Sequence, residues 1–86
     1  MNNKQITVQV KFFAAPREAL GTSQIEMTLP AGSTAADLVE RLKDAYPQLR
    51  PYTRFLSIAV NRAYVSYERE LQDGDEVACL PPVGGG

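Results

Sequence analysis

A single stretch of helical periodicity stands in an 86-residue chain whose other apolar positions mostly alternate two by two, and that imbalance limits the folds open to it. Leu38, Leu42 and Ala45 recur at helical spacing, with Val39 and Tyr46 beside them and Glu40, Arg41, Lys43 and Asp44 elsewhere. Thr34 or Ser33 caps this segment. With Thr34 as the cap, Asp37 falls at the third helical position, where a carboxylate meets free N–H groups and the positive end of the helix dipole. Pro47 stops the run, so the spacing predicts a helix over Ala35 to Ala45 with one apolar face. Ile6, Val8, Val10 and Phe12 alternate with polar neighbours, and Ile25, Met27 and Leu29 alternate again, which predicts two half-buried strands. Phe13 breaks the first alternation and points toward the other face. Residues 1–5 are polar and read as frayed, Pro16 to Gly21 as one short helical turn, and Pro30-Ala31-Gly32 as a turn.

Beyond the helix, Gln48 to Phe55 reads as a loop carrying Pro51. Leu56, Ile58 and Val60 predict a third strand, Asn61-Arg62 a tight turn, and Ala63 to Ser66 a short fourth strand. Leu71 reads as a core plug on a loop, Asp73-Gly74-Asp75 as a turn, and Glu76 to Leu80 as the last strand, with Val77 and Cys79 on one face. A sheet of four to five strands covered by one main helix is an α+β domain. A chain this short forms one domain with a modest core. We expect that domain to occupy residues 1–80 and an extended tail residues 81–86.

Absences narrow the chemistry. The sequence has no His, and Cys79 is its only thiol. A Ser-His-Asp or Cys-His nucleophile pair cannot be assembled without His, and one Cys without His builds no zinc site, so no bound metal is expected. Nine Lys and Arg against ten Asp and Glu leave a net charge of −1, so no global field draws the chain to nucleic acid or to an anionic membrane. No apolar run approaches the roughly 20 residues of a membrane span, and no signal peptide opens the sequence. These features predict a reduced, cytoplasmic domain.

The tail reads Leu80-Pro81-Pro82-Val83-Gly84-Gly85-Gly86, with no charged side chain after Glu76. Pro81 and Pro82 cannot donate ladder hydrogen bonds and favour an extended stalk. Gly84, Gly85 and Gly86 lack a Cβ, so they can thread a narrow channel and leave a terminal carboxylate unhindered. Six extended residues reach roughly 20 Å. A Gly-rich end can also be inert. A spacer has something on its far side, however, and this sequence stops at Gly86, which favours a reactive end over a linker.

Four segments carry a resemblance. They are Lys11-Phe12-Phe13-Ala14 followed by Arg17-Glu18; Ala36-Asp37-Leu38; Ala59-Val60-Asn61-Arg62 leading to Val65-Ser66; and Leu71 to Ala78 running into Pro81-Pro82-Val83 and Gly85-Gly86. In this order they resemble the small subunits of molybdopterin synthase, ubiquitin-like sulfur carriers with the β-grasp fold. The resemblance spans Ile6 to Gly86. It implies that the Gly86 carboxylate is adenylated with ATP by a partner adenylating (activating) enzyme, converted to a thiocarboxylate, and delivered to a large synthase subunit, where the sulfur passes to a pterin precursor. It also implies a heterotetramer of two small subunits around a large-subunit dimer, with the catalytic residues on the large subunit. The chain has no Gly-rich phosphate loop with Lys, so we expect it to bind no cofactor itself and ATP to be held by the partner. A sulfur carrier for thiamine, cysteine or transfer-RNA thiolation, a protein modifier joined to lysines, and a binding module with an inert tail are the alternatives.

Phe13, Tyr64 and Leu80 are candidates for an exposed apolar patch near the tail, because Phe13 and Leu80 fall off the core register and Tyr64 precedes the inward-reading Val65. By the resemblance, the matching positions contact the activating enzyme and the large subunit, with Arg17 at the rim. Leu80 stands where the family commonly has an aromatic residue, and Tyr64 where it has a smaller aliphatic one. Cys79 reads as a small core hydrophobe rather than a persulfide carrier. Arg50, Arg54, Arg62 and Arg69, interspersed with Glu68 and Glu70, read as a solvated face. Asp73 and Asp75 read as turn residues rather than a catalytic acid pair.

Overall fold

The computed structural model describes residues 4–81. Strand β1 (Gln5–Phe12) leads through helix α1 (Ala14–Leu20) to β2 (Gln24–Pro30), then to α2 (Ala35–Ala45), a 3-10 helix (Pro47–Tyr52), β3 (Ser57–Val60), β4 (Ala63–Val65) and β5 (Glu76–Leu80). The strands form one mixed sheet in the order β2-β1-β5-β3-β4. β1 pairs antiparallel with β2 and parallel with β5, and β3 pairs antiparallel with both β4 and β5. The last strand of the chain therefore lies in the middle of the sheet. The architecture is the α+β sheet on one main helix that the sequence predicts.

The period-two residues of β1 behave as expected: Val8, Val10 and Phe12 are essentially inaccessible to solvent. They pack with Leu38 and Leu42 from α2, Ile58 and Val60 from β3, and Val77 and Cys79 from β5. Leu29 on β2 joins them, whereas Ile25 and Met27 are half-buried, because β2 is an edge strand. Leu71 plugs the core from a loop. Each such side chain, fully buried, stabilises the fold by about 1.5–3 kcal/mol before chain entropy is counted.

Helix α2 has the predicted bounds. The Thr34 hydroxyl accepts the Asp37 N–H at 3.2 Å, and the Asp37 carboxylate accepts the Thr34 N–H at 2.9 Å, a reciprocal capping box. The next two N–H groups, of Ala35 and Ala36, donate to the carbonyls of Arg69 and Tyr67 at 3.0 and 2.9 Å. The segment before Leu71 thus satisfies helix donors that would otherwise need water.

Several expectations need correction. Gln5 is not frayed: it pairs with Pro30, and the Lys4 carbonyl accepts the Ala31 N–H, so the sheet reaches further toward the N-terminus. α1 begins at Ala14, before Pro16. Proline is tolerated anywhere in the first turn, where N–H groups have no helical partner, so it marks the turn and not its first residue. Gly21, with φ +85°, ends the helix as predicted, its N–H bonded to the Arg17 carbonyl. The segment read as a loop from Gln48 contains the 3-10 helix, which sets Leu49 into the core. β4 ends at Val65 rather than Ser66, and β3 starts at Ser57, with Leu56 buried just outside the ladder.

Candidate functional site

The site is the end of the sheet from which the tail departs. Leu80 closes β5 opposite Ser57 of β3, while Cys79, one residue earlier, sits beside Phe12, the last residue of β1. Pro81 follows, half-buried and without an N–H, so the ladder cannot extend past Leu80 and the chain must leave there. Because β5 lies between β1 and β3, the departure point is flanked by backbone on both sides. The expectations for Pro82, Val83, Gly84, Gly85 and Gly86 lie outside the described residues.

Phe13 follows β1 directly and is its first residue to leave the sheet. It is the extended residue before α1, and the next residue, Ala14, has φ +57°, a left-handed conformation costing an alanine about 1–2 kcal/mol. That reversal turns the chain into α1 and leaves Phe13 40% exposed. Arg17 is exposed on α1, one helical turn further on.

Tyr64 pairs with Ala59, Ala59 with Ala78, and Ala78 with Lys11, so these four form one row across the outer face of the sheet, away from the core. Leu80 lies two residues beyond Ala78 on β5 and shares that face. Tyr64 is 74% exposed and Leu80 is half-buried. Phe13 meets the row at an open depression lined by Lys11, Phe13, Arg62, Glu76 and Ala78. The structure therefore brings Phe13, Tyr64 and Leu80 to one face beside the end of β5, with Arg17 set back on the adjoining helix.

Charge on this face is organised by Glu76. Lys11 forms an ion pair and hydrogen bond with it, and that contact, with Arg62 adding to it, holds its carboxyl below the usual carboxylate range. Sequence periodicity gives no signal for this cross-strand pair, since Lys11 and Glu76 are adjacent only through the parallel β1–β5 register. Sequence reasoning also missed Phe55, which is 68% exposed, with the Arg54 guanidinium 5.3 Å above its ring. A lone aromatic in a loop has no period to betray it.

Cys79 faces the core and is fully buried, and burial pushes its thiol pKa up to about 12. A thiol so placed is neither a nucleophile nor a sulfur store near neutral pH. Asp73 and Asp75 also have other work. The Asp73 carboxylate accepts the Thr7 N–H at 2.7 Å; that of Asp75 accepts the Gln72 N–H at 2.8 Å and the Asn61 side-chain amide at 2.9 Å. They are turn residues, as the sequence indicates. Among the described residues no group of His, Cys, Asp or Glu could hold a metal ion, and no helix is long and apolar enough to cross a membrane.

A five-stranded mixed sheet on one helix, its C-terminal strand at the centre, defines a β-grasp domain of the ubiquitin-like kind, and the likeness to solved structures agrees. The sequence pattern of the ThiS family matches residues 10–86, and the chain belongs to that family. It is 39% identical over 82 residues to the molybdopterin synthase sulfur carrier subunit of Mycobacterium tuberculosis, covering 94% of this chain and 99% of that one. The putative molybdopterin converting factor, subunit 1, from Pyrococcus furiosus superposes with a TM-score of 0.81 at 37% identity, covering 91% of this chain and 99% of that one. The small archaeal modifier protein 1 from Methanosarcina acetivorans superposes with a TM-score of 0.80 at 29% identity, covering 96% and 99%.

Proposed function

We propose that the chain is the sulfur carrier subunit of a cytoplasmic molybdopterin synthase, with Gly86 as its reacting residue. The observation that carries this reading is its relation, over nearly the whole of both chains, to a molybdopterin synthase sulfur carrier subunit. The chemistry follows from the carboxylate. As a poor electrophile it must first attack ATP on a partner adenylating enzyme, releasing pyrophosphate and giving an acyl-adenylate. A sulfur nucleophile then displaces AMP, leaving a thiocarboxylate on Gly86. In the large subunit that sulfur attacks the pterin precursor, and hydrolysis of the acyl link returns the carboxylate.

The domain's part is to present and not to catalyse. A rigid sheet holds the start of the tail at its centre, and residues 81–86 form the probe that enters each partner. Phe13, Tyr64 and Leu80 supply the apolar contact surface and Arg17 its charged rim. No thiol competes for the sulfur, because Cys79 is locked in the core.

Deleting Gly86, or appending one residue after it, should abolish sulfur transfer to the precursor while leaving the thermal midpoint unchanged. Full transfer by either variant contradicts the proposal. A second reading, attachment to protein lysines through Gly86, is favoured by the likeness to the small archaeal modifier protein. Isopeptide-linked species in host extracts that vanish on deletion of Gly86 would select it.

A further inference from the structure

Phe55 has no task inside the fold. It is 68% exposed and absent from the core cluster, yet the backbone on either side of it is anchored by two buried residues, Thr53 and Leu56. The Thr53 hydroxyl donates to the Arg50 carbonyl at 3.1 Å, and the Leu56 carbonyl accepts the Tyr67 hydroxyl at 2.7 Å. A large aromatic ring presented to solvent from a fixed backbone, with a guanidinium 5.3 Å from its ring centre, is the arrangement of an interface anchor.

Its position says what it meets. Ser57 pairs with Leu80, so Phe55, two residues earlier, stands where β3 approaches the tail's point of departure. Phe13 stands at the corresponding place on β1. Adjacent strands are about 4.8 Å apart, so β1 and β3 bracket the end of β5 at about that spacing on either side. The five residues from Pro82 to Gly86 reach at most about 17 Å. A protein that buries Gly86 in an active site must therefore bring its own surface down onto the end of the sheet, and both flanks are within its footprint.

We propose that Phe55, with Arg54 stacked on it, is a second anchor for the large synthase subunit, on the β3 flank of the tail as Phe13 is on the β1 flank. This rests on the sulfur-carrier reading and adds to it a contact that lies apart from the Phe13–Tyr64–Leu80 patch. The partner surface it fits is an apolar recess edged by a carboxylate, which would meet the Arg54 guanidinium while the ring fills the recess.

The test is the dissociation constant of the full-length chain for the purified large subunit, with Phe55→Ser and Phe55→Tyr compared with wild type. Phe55→Ser should weaken binding about 30-fold, and Phe55→Tyr, which keeps the ring, should stay within about threefold of wild type. Both should keep the wild-type thermal midpoint, because Phe55 is outside the core. Wild-type affinity for Phe55→Ser overturns the inference and leaves the carrier reading standing. A loss confined to the adenylating enzyme also overturns it. A wild-type chain that does not bind the large subunit at all overturns the carrier reading, and the inference with it.

Discussion

The two ends of β5 are built on opposite plans. At its start, both carboxylates of the turn are hydrogen-bonded. Asp73 accepts from Thr7, Asp75 from Gln72 and Asn61, the Glu76 N–H donates to the Asn61 side chain, and the Gly74 N–H donates to the Thr7 carbonyl. At its other end, the large side chains are left over: Phe13, Phe55 and Tyr64 are all exposed, and Ala14 holds a left-handed backbone that an alanine does not prefer. The first end is closed by hydrogen bonds and is about stability. The second retains exposed apolar surface, the feature that remains when a surface is kept for a partner.

Three changes probe this contrast. The largest concerns Cys79, in the core beneath the open end. Its folded-state pKa is raised from 9.0 to about 12, so above pH 9 the unfolded chain gives up its thiol proton while the folded chain keeps it. Stability present below pH 9 is then lost as pH rises toward 12, at about 1.4 kcal/mol per pH unit. Urea midpoints measured between pH 8 and 10 should fall for the wild type and fall less steeply for Cys79→Ala. Equal slopes would place the thiol in contact with water.

The next largest is at the closed end. Asp75→Ala leaves the Gln72 N–H and the Asn61 amide without their acceptor at a part-buried site, which should cost about 1 kcal/mol in urea unfolding. A loss below about 0.5 kcal/mol would mean that water replaces the carboxylate, and the end is not closed. The smallest effect on stability belongs to the open end. Phe13→Ser and Tyr64→Ser should change stability by no more than about 0.5 kcal/mol, while weakening binding to the large subunit. A large loss of stability from either would make these residues part of the fold and not of an interface.

The closed end was the more legible in sequence. Asp73-Gly74-Asp75 and Asn61-Arg62 carry turn chemistry in their identities, and Asn61 and Arg62 take the positive φ values of 50° and 74° that a two-residue hairpin requires. α2 was equally plain, since Thr34, Asp37 and Pro47 mark its limits and its apolar face has a period. The start of α1 and the 3-10 helix were less so. Both are too short for periodicity to register, and they pack on each other rather than standing on local propensity. The central place of β5 was not legible from strand patterns, because pairing is a long-range property. Phe55 was not legible at all: its proposed role depends on preceding Ser57, whose strand partner Leu80 lies 23 residues further along the chain.

The intact mass of the untagged chain recovered from its own host tests the central claim most directly. The account predicts a fraction heavier by one sulfur-for-oxygen exchange, mapped to Gly86, whose share rises with ATP, the host's adenylating enzyme and a sulfur source. A terminus that stays unmodified under those conditions would contradict it and leave a β-grasp domain with an inert tail.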